Sequence, residues 1–197
     1  EIGEVKQFTL QDSSIVTLAP KSQLSIDDEF NRKEREVHLQ GEAVFEVQSD
    51  TGKPFLVNAG SSITRVLGTR FGVEAYSDYK RISIFVEEGN VSVNGMSPNA
   101  GEPELMLGKG DYARVDEGMK MTEIERDTDV ARFLSWRQGI INLDNASLYE
   151  GTQRLKRWYP VEFVFQDAEI SKYQLTTEFS STQSLEEILD AIVLALD

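Results

Sequence analysis

Few side chains in this sequence are of a kind that does chemistry, and their spacing limits what they could do. His38 is the only histidine and no cysteine occurs. Thiol nucleophiles, disulfides and Cys-ligated zinc are therefore excluded, and one imidazole outside an H-E-x-x-H pattern builds no metal centre. His38 alternates with Val37 and Leu39, which makes it an outward-facing surface residue. Asp27-Asp28-Glu29, followed by Arg32-Lys33-Glu34-Arg35, has the composition of a cation site or an acid–base pair. Adjacent residues of an extended segment point in alternating directions, however, and the spacing is not that of a calcium loop; a solvated connection is the better reading. Glu42 and Glu46 share one side of a strand region, but a glycosidase pair also needs a set separation and one raised pKa. Gly108-Lys109-Gly110 lacks the spacing and the following helix of a phosphate loop, and reads as a hairpin turn. No cofactor and no metal are implied. The one basic island is Arg154-Leu155-Lys156-Arg157-Trp158-Tyr159. Leu155 and Trp158 read as its buried side. Arg157, Tyr159 and Glu162 are the candidate partner-binding residues, because arginine and aromatic side chains are enriched in interface cores.

The elements that must position these groups are mostly short strands. Phe8 and Leu10, Val16 and Leu18, and Leu24 and Ile26 each alternate with polar neighbours. Val37, Leu39, Ala43, Phe45 and Val47 continue the period of two, which marks strands with one buried face. The pattern is punctuated at Gly41, Gly52, Gly60 and Gly68. It resumes through Phe55–Val57, Ile82–Val86, Val91–Val93, Leu105–Leu107, Tyr112–Val115 and Met119–Ile124, with a turn-rich loop over Met96–Glu104. Many short strands and no helix before about residue 126 predict an all-β sandwich or solenoid. Near Asp127 the pattern changes. Val130–Leu134 reads as a helical turn and Trp136–Leu143 as a strand. A helix then opens at the Ser147-x-x-Glu150 capping box and closes at Pro160. Val161, Phe163 and Phe165 make a strand and Tyr173–Phe179 another. Ser184-x-x-Glu187 opens a last helix with Leu185, Ile188, Leu189, Ile192 and Leu196 on one stripe. The order βαβ-βα predicts a small α/β domain over 127–197, lacking a final strand, after a β-rich domain over 1–126.

Composition narrows the function further. Thirty-four acidic against twenty basic residues give a formal charge of −14, a field that repels duplex nucleic acid and anionic membranes. No apolar run approaches the twenty residues of a membrane span, and Glu1-Ile2-Gly3 carries no signal-peptide character. Either the chain is cytosolic or it is the soluble part of something larger.

Arg35, Val37, Leu39, Gly41-Glu42-Ala43, Phe45-Glu46-Val47, Pro54-Phe55, Val57, Val66-Leu67-Gly68-Thr69, Phe71, Val73 and Ala75-Tyr76 together resemble the periplasmic signature of FecR-type anti-sigma regulators. The Glu88-Gly89-x-Val91-x-Val93 run continues the resemblance. The family's Asp-Gly-Ser turn is Asp12-Ser13-Ser14 here, which predicts a different turn type. Trp136 to Phe163 resembles a small C-terminal domain similar to the secretin/TonB N-terminal (STN) signalling module. The resemblance implies a twisted β-solenoid-like body and a non-enzymatic role. It implies a periplasmic region whose parent is anchored in the inner membrane by one helix upstream. The implied partners are the N-terminal signalling domain of an outer-membrane TonB-dependent transporter and, through a cytoplasmic segment absent from this chain, a sigma factor. Homodimerisation is left open. The rival reading is an extracytoplasmic carbohydrate-binding or glycan-cleaving β-protein. It predicts exposed aromatics on a concave face, whereas Phe45, Phe55, Phe163 and Phe165 fall at inward-facing positions.

Overall fold

The computed structural model describes residues 1–95, 104–116 and 121–196. Two compact units divide it: Val5–Ala131, and Glu1–Glu4 together with Arg132–Asp197. The alternation pattern placed the division after residue 126; the contacts carry it to Ala131 and assign the first four residues to the C-terminal unit.

The larger unit is built on one long strand. β1 (Lys6–Thr9), β2 (Ile15–Leu18) and β3 (Gln23–Ile26) lead into β4 (Arg35–Glu46), the sequence block that carries the family signature. There follow β5 (Phe55–Ala59), β6 (Ser62–Val66), β7 (Arg70–Ala75), β8 (Arg81–Glu88), β9 (Asn90–Gly95), β10 (Leu105–Gly108), β11 (Tyr112–Asp116) and β12 (Met121–Glu125). All twelve join one curled sheet, ordered β10-β9-β6-β5-β4-β7-β8-β11-β12, with β2 and β3 also pairing with β4 and β1 with β2. β4 changes neighbours half-way. Gln40 and the residues before it pair with β3 and β5, while Gly41 to Glu46 pair with β2 and β7. The sheet folds there. Gly41 has φ +101°, and a Cβ on it would lie 2.4 Å from Ser22 Oγ and 2.8 Å from Ser22 Cα. Ser22 Oγ also accepts the Glu42 N–H at 2.8 Å, so one serine fills the corner and satisfies the amide beside it.

Both halves of β4 keep the same face inward. Val37, Leu39, Ala43 and Phe45 belong to one apolar core with residues from every other strand that the fold brings over them, among them Val57, Phe71, Ile84 and Val93. Phe45 joins the halves. Its ring stacks on Phe71 at 5.3 Å and meets Phe55 at 5.9 Å, and Phe55 meets Phe30 edge-on at 6.1 Å. Each fully buried aromatic of this kind is worth roughly 1.5–3 kcal/mol. The sequence pattern left sandwich and solenoid open, and the observed form is a single curled sheet shared by both halves of β4.

Arg35 opens β4 and is buried, with 1 % of its surface exposed. Its Nη1 donates to Asp12 Oδ2 at 2.9 Å and to the Gln48 carbonyl, and its Nε donates to the Lys53 carbonyl. Asp12 is also the pivot of the turn between β1 and β2, accepting from the Ser14 amide and hydroxyl. Ser13 within that turn has φ +67°. Ser13 takes the left-handed conformation that glycine adopts more readily, within a turn braced by the Asp12–Ser14 and Asp12–Arg35 bonds.

The smaller unit departs further from expectation. A 3₁₀ helix covers Val130–Gln138, and β13 runs over Ile140–Ser147, so Trp136 lies in the helical turn and not in the expected strand. α1 (Leu148–Trp158) and α2 (Leu185–Leu196) start at the two expected capping boxes. Ser147 Oγ accepts the Glu150 N–H while Glu150 Oε2 accepts the Ser147 N–H, and Ser184 and Glu187 exchange the same pair of bonds. β14 (Gln174–Ser180) pairs antiparallel with β13 in a two-stranded sheet. The expected strand over Val161–Phe165 is absent as a ladder member, and no strand pairs with it among the described residues. Leu189, expected on the buried stripe of α2, is exposed; Ile188 and Ile192 alone are fully buried there. The expected loop over Met96–Glu104 lies almost wholly outside the described residues.

Candidate partner-docking surface

The candidate residues Arg157, Tyr159 and Glu162 follow one another around the end of α1. The helix is amphipathic, and Leu148 and Leu155 sink into a core made with Ile141, Leu143, Leu175, Phe179, Ile188 and Ile192. Arg157 is carried into the buried side and is 6 % exposed. Tyr159 ends the helix in extended conformation, its N–H donating to the Leu155 carbonyl at 2.9 Å. Its hydroxyl reaches the loop before α2 and donates to the Gln183 carbonyl at 2.8 Å. Burial, and then the Glu187 carboxylate, raise the Tyr159 pKa above the usual phenol value. Glu162 is exposed and pairs with Lys156 Nζ at 2.7 Å. The three residues thus sit within one turn and its exit but present different things: a buried cation, a pinned phenol and an exposed carboxylate.

Beyond them the chain stays extended and alternates in exposure from Val161 to Phe165. Phe163 and Phe165 pack on the unit's core, while Glu162 and Val164 face outward, Val164 at 88 % exposure. The side chains behave as those of a sheet strand. The backbone does not, since it has no strand neighbour among the described residues. An extended segment with its apolar face partly buried and no strand neighbour among the described residues is a template for strand addition.

A surface concavity of about 410 Å³ lies over the charge-rich loop, among Asp27, Glu29, Phe30, Arg32, Glu34 and Glu36. Three of its acids are engaged: Asp27 Oδ1 accepts the Glu29 N–H, Glu29 pairs with Arg32, and Glu36 accepts from Asn58. His38 is half exposed beside Glu36. Among the described residues, no group of three or more His, Asp or Glu side chains could hold a metal ion.

Family models match both units. The model of the FecR protein family covers residues 1–92, and that of the FecR C-terminal region covers residues 140–197. The chain belongs to the FecR family. Two crystal structures of a Parabacteroides distasonis ATCC 8503 protein assigned as an anti-sigma factor are similar to it, at 1.65 and 2.50 Å resolution. Each has a TM-score of 0.86 and 28% identity, covering 99% of this FecR chain and 89% or 88% of its own. No functionally curated protein matches. FecR proteins are regulators of signal transduction and not enzymes. The matched C-terminal model begins at Ile140, the first residue of β13, so the family boundary falls at the start of the two-stranded sheet.

Proposed function

We propose that this FecR chain is the periplasmic receiving module of an anti-sigma regulator, and that it docks the signalling domain of an outer-membrane TonB-dependent transporter. The observation that carries the reading is the extended segment Val161–Phe165, which has no strand neighbour among the described residues, with Phe163 and Phe165 partly buried against the core and Val164 exposed. A signalling domain supplying one strand would find main-chain donors and acceptors already extended, with Glu162 and Val164 to read its side chains. Tyr159, two residues before that segment, is pinned to the Gln183 carbonyl. The similarity to an anti-sigma factor supports the wider role, in which a sigma factor is held by a cytoplasmic segment outside this chain and a membrane anchor joins the two. No described helix is long and apolar enough to cross a membrane, so that anchor would be a separate segment. The C-terminal unit then serves as an STN-like receiver.

Titration of the isotope-labelled chain with a purified transporter signalling domain tests this. Docking by strand addition protects alternate amides within Glu162–Gln166 from exchange, because successive N–H groups of a strand point to opposite edges. Absence of binding at several hundred micromolar, with both proteins folded, would sink the reading. Binding that leaves those amides unchanged would move the docking site elsewhere.

A further inference from the structure

We infer that the C-terminal turn of α1 clamps Glu1–Glu4, so that an event at the docking strand is transmitted to that segment. The last carbonyls of a helix lack internal partners, and here one of them is filled from the far end of the sequence. The Gly3 N–H donates to the Arg157 carbonyl at 2.8 Å. Gly3 has φ +67°, and a Cβ on it would stand 3.2 Å from the Trp158 carbonyl oxygen, so only glycine makes this approach without strain. Glu1–Glu4 accordingly belong to the C-terminal unit and not to the β unit that follows them.

The same turn holds a second segment. The Tyr159 hydroxyl fixes it to the Gln183 carbonyl, and the Ser181 N–H fixes that loop to the Gly139 carbonyl at 2.7 Å. The turn is therefore a junction of three pieces: the chain's start, the loop before α2, and, through Pro160, the unfilled strand. The inference rests on the docking reading only for the nature of the incoming signal.

Amide exchange in the labelled full chain tests the clamp without any partner. The Gly3 amide should exchange at least tenfold more slowly than in an unstructured peptide. Tyr159→Phe, which deletes the bond to Gln183, should speed Gly3 exchange about threefold or more while the amide of Phe45 in β4 keeps its protection. Gly3→Val, at an exposed position, should speed exchange of the Tyr159 amide, as reciprocity of coupling requires. A Gly3 amide exchanging at the free-peptide rate would overturn the clamp. Protection at Gly3 unmoved by Tyr159→Phe would overturn transmission. With the signalling domain added, docking that protects the 162–166 amides and leaves Gly3 unchanged would also overturn transmission, with the docking reading intact. A failure to dock would count against that reading alone, and the two variants would still decide the clamp.

Discussion

Replacing Gly41 by alanine tests whether the fold of the β unit turns on one corner. The added Cβ would stand 2.4 Å from Ser22 Oγ and 2.8 Å from Ser22 Cα, and the second of these is backbone that cannot rotate away. Holding an L-residue at φ +101° costs about 1–3 kcal/mol, and forcing the contact open costs roughly another 1–3 kcal/mol. Displacing Ser22 also loosens its bond to the Glu42 N–H, about 1 kcal/mol. Alanine recovers about 0.4–1 kcal/mol by stiffening the unfolded chain. The net loss is roughly 2–7 kcal/mol, a large fraction of the ~5–15 kcal/mol that holds a domain. Urea unfolding followed by far-UV circular dichroism reads it as a lowered midpoint with unchanged slope. Both tryptophans, Trp136 and Trp158, lie in the C-terminal unit, so their fluorescence monitors that unit separately. Ser22→Gly removes the Oγ and Cβ clash, so the double variant should lose about 1 kcal/mol less than the two single losses added together. A Gly41→Ala protein within 0.5 kcal/mol of the parent would refute the corner argument, and so would strict additivity.

Three further outcomes follow from the same geometry. Ser13→Gly should stabilise the β unit by about 0.5–1 kcal/mol, since Ser13 sits at φ +67°; a thermal shift upward of a few degrees is the readout, and a decrease would contradict it. Asp12→Ala strands the Arg35 guanidinium, buried and without its counter-ion, and should cost about 3–5 kcal/mol in denaturant, with Asp12→Ala/Arg35→Met losing less than Asp12→Ala alone. Burial raises the Tyr112 pKa, and burial followed by Glu187 raises that of Tyr159. The folded state therefore keeps these protons where the unfolded state releases them, and stability present below about pH 10 is lost as pH climbs through the raised values. Tyr112→Phe should flatten that alkaline loss in the β unit, as measured by melting between pH 9 and 11, and an unchanged profile would count against it.

What was legible in the chain was whatever is local. The alternation of Val37, Leu39, Ala43 and Phe45 put those residues on one face, and they line one core. The capping boxes at Ser147 and Ser184 stand where the helices start, because a cap needs only neighbours within four residues. Pairing is not local. Val161, Phe163 and Phe165 carry the period of a strand and partly bury the expected side, yet no strand pairs with them among the described residues, since periodicity reports a face and not a neighbour. Leu189 misled for a related reason: an apolar stripe says which way a helix could face, and the width of the two-stranded sheet beneath α2 decides how much of it is covered. The buried charge of Arg35 was invisible because its counter-ion, Asp12, comes from a different strand turn. In the candidate site, the cluster Arg157, Tyr159 and Glu162 was legible as composition. The bond from Gly3 to Arg157 was not, for no pattern links residues so far apart.

A strand owned by two half-sheets at once has a consequence for how the family can vary. Deleting or inserting a single residue in β4 would turn Ala43 and Phe45 outward, since a one-residue slip exchanges the faces of everything beyond it. Changing the length by two would preserve the faces but move Gly41 away from Ser22 and break register with β2 and β7 on one side, or β3 and β5 on the other. Four neighbours would have to accommodate the change together. The length of this segment is thereby frozen, and relatives should differ in size at the rim of the sheet and never along its longest member.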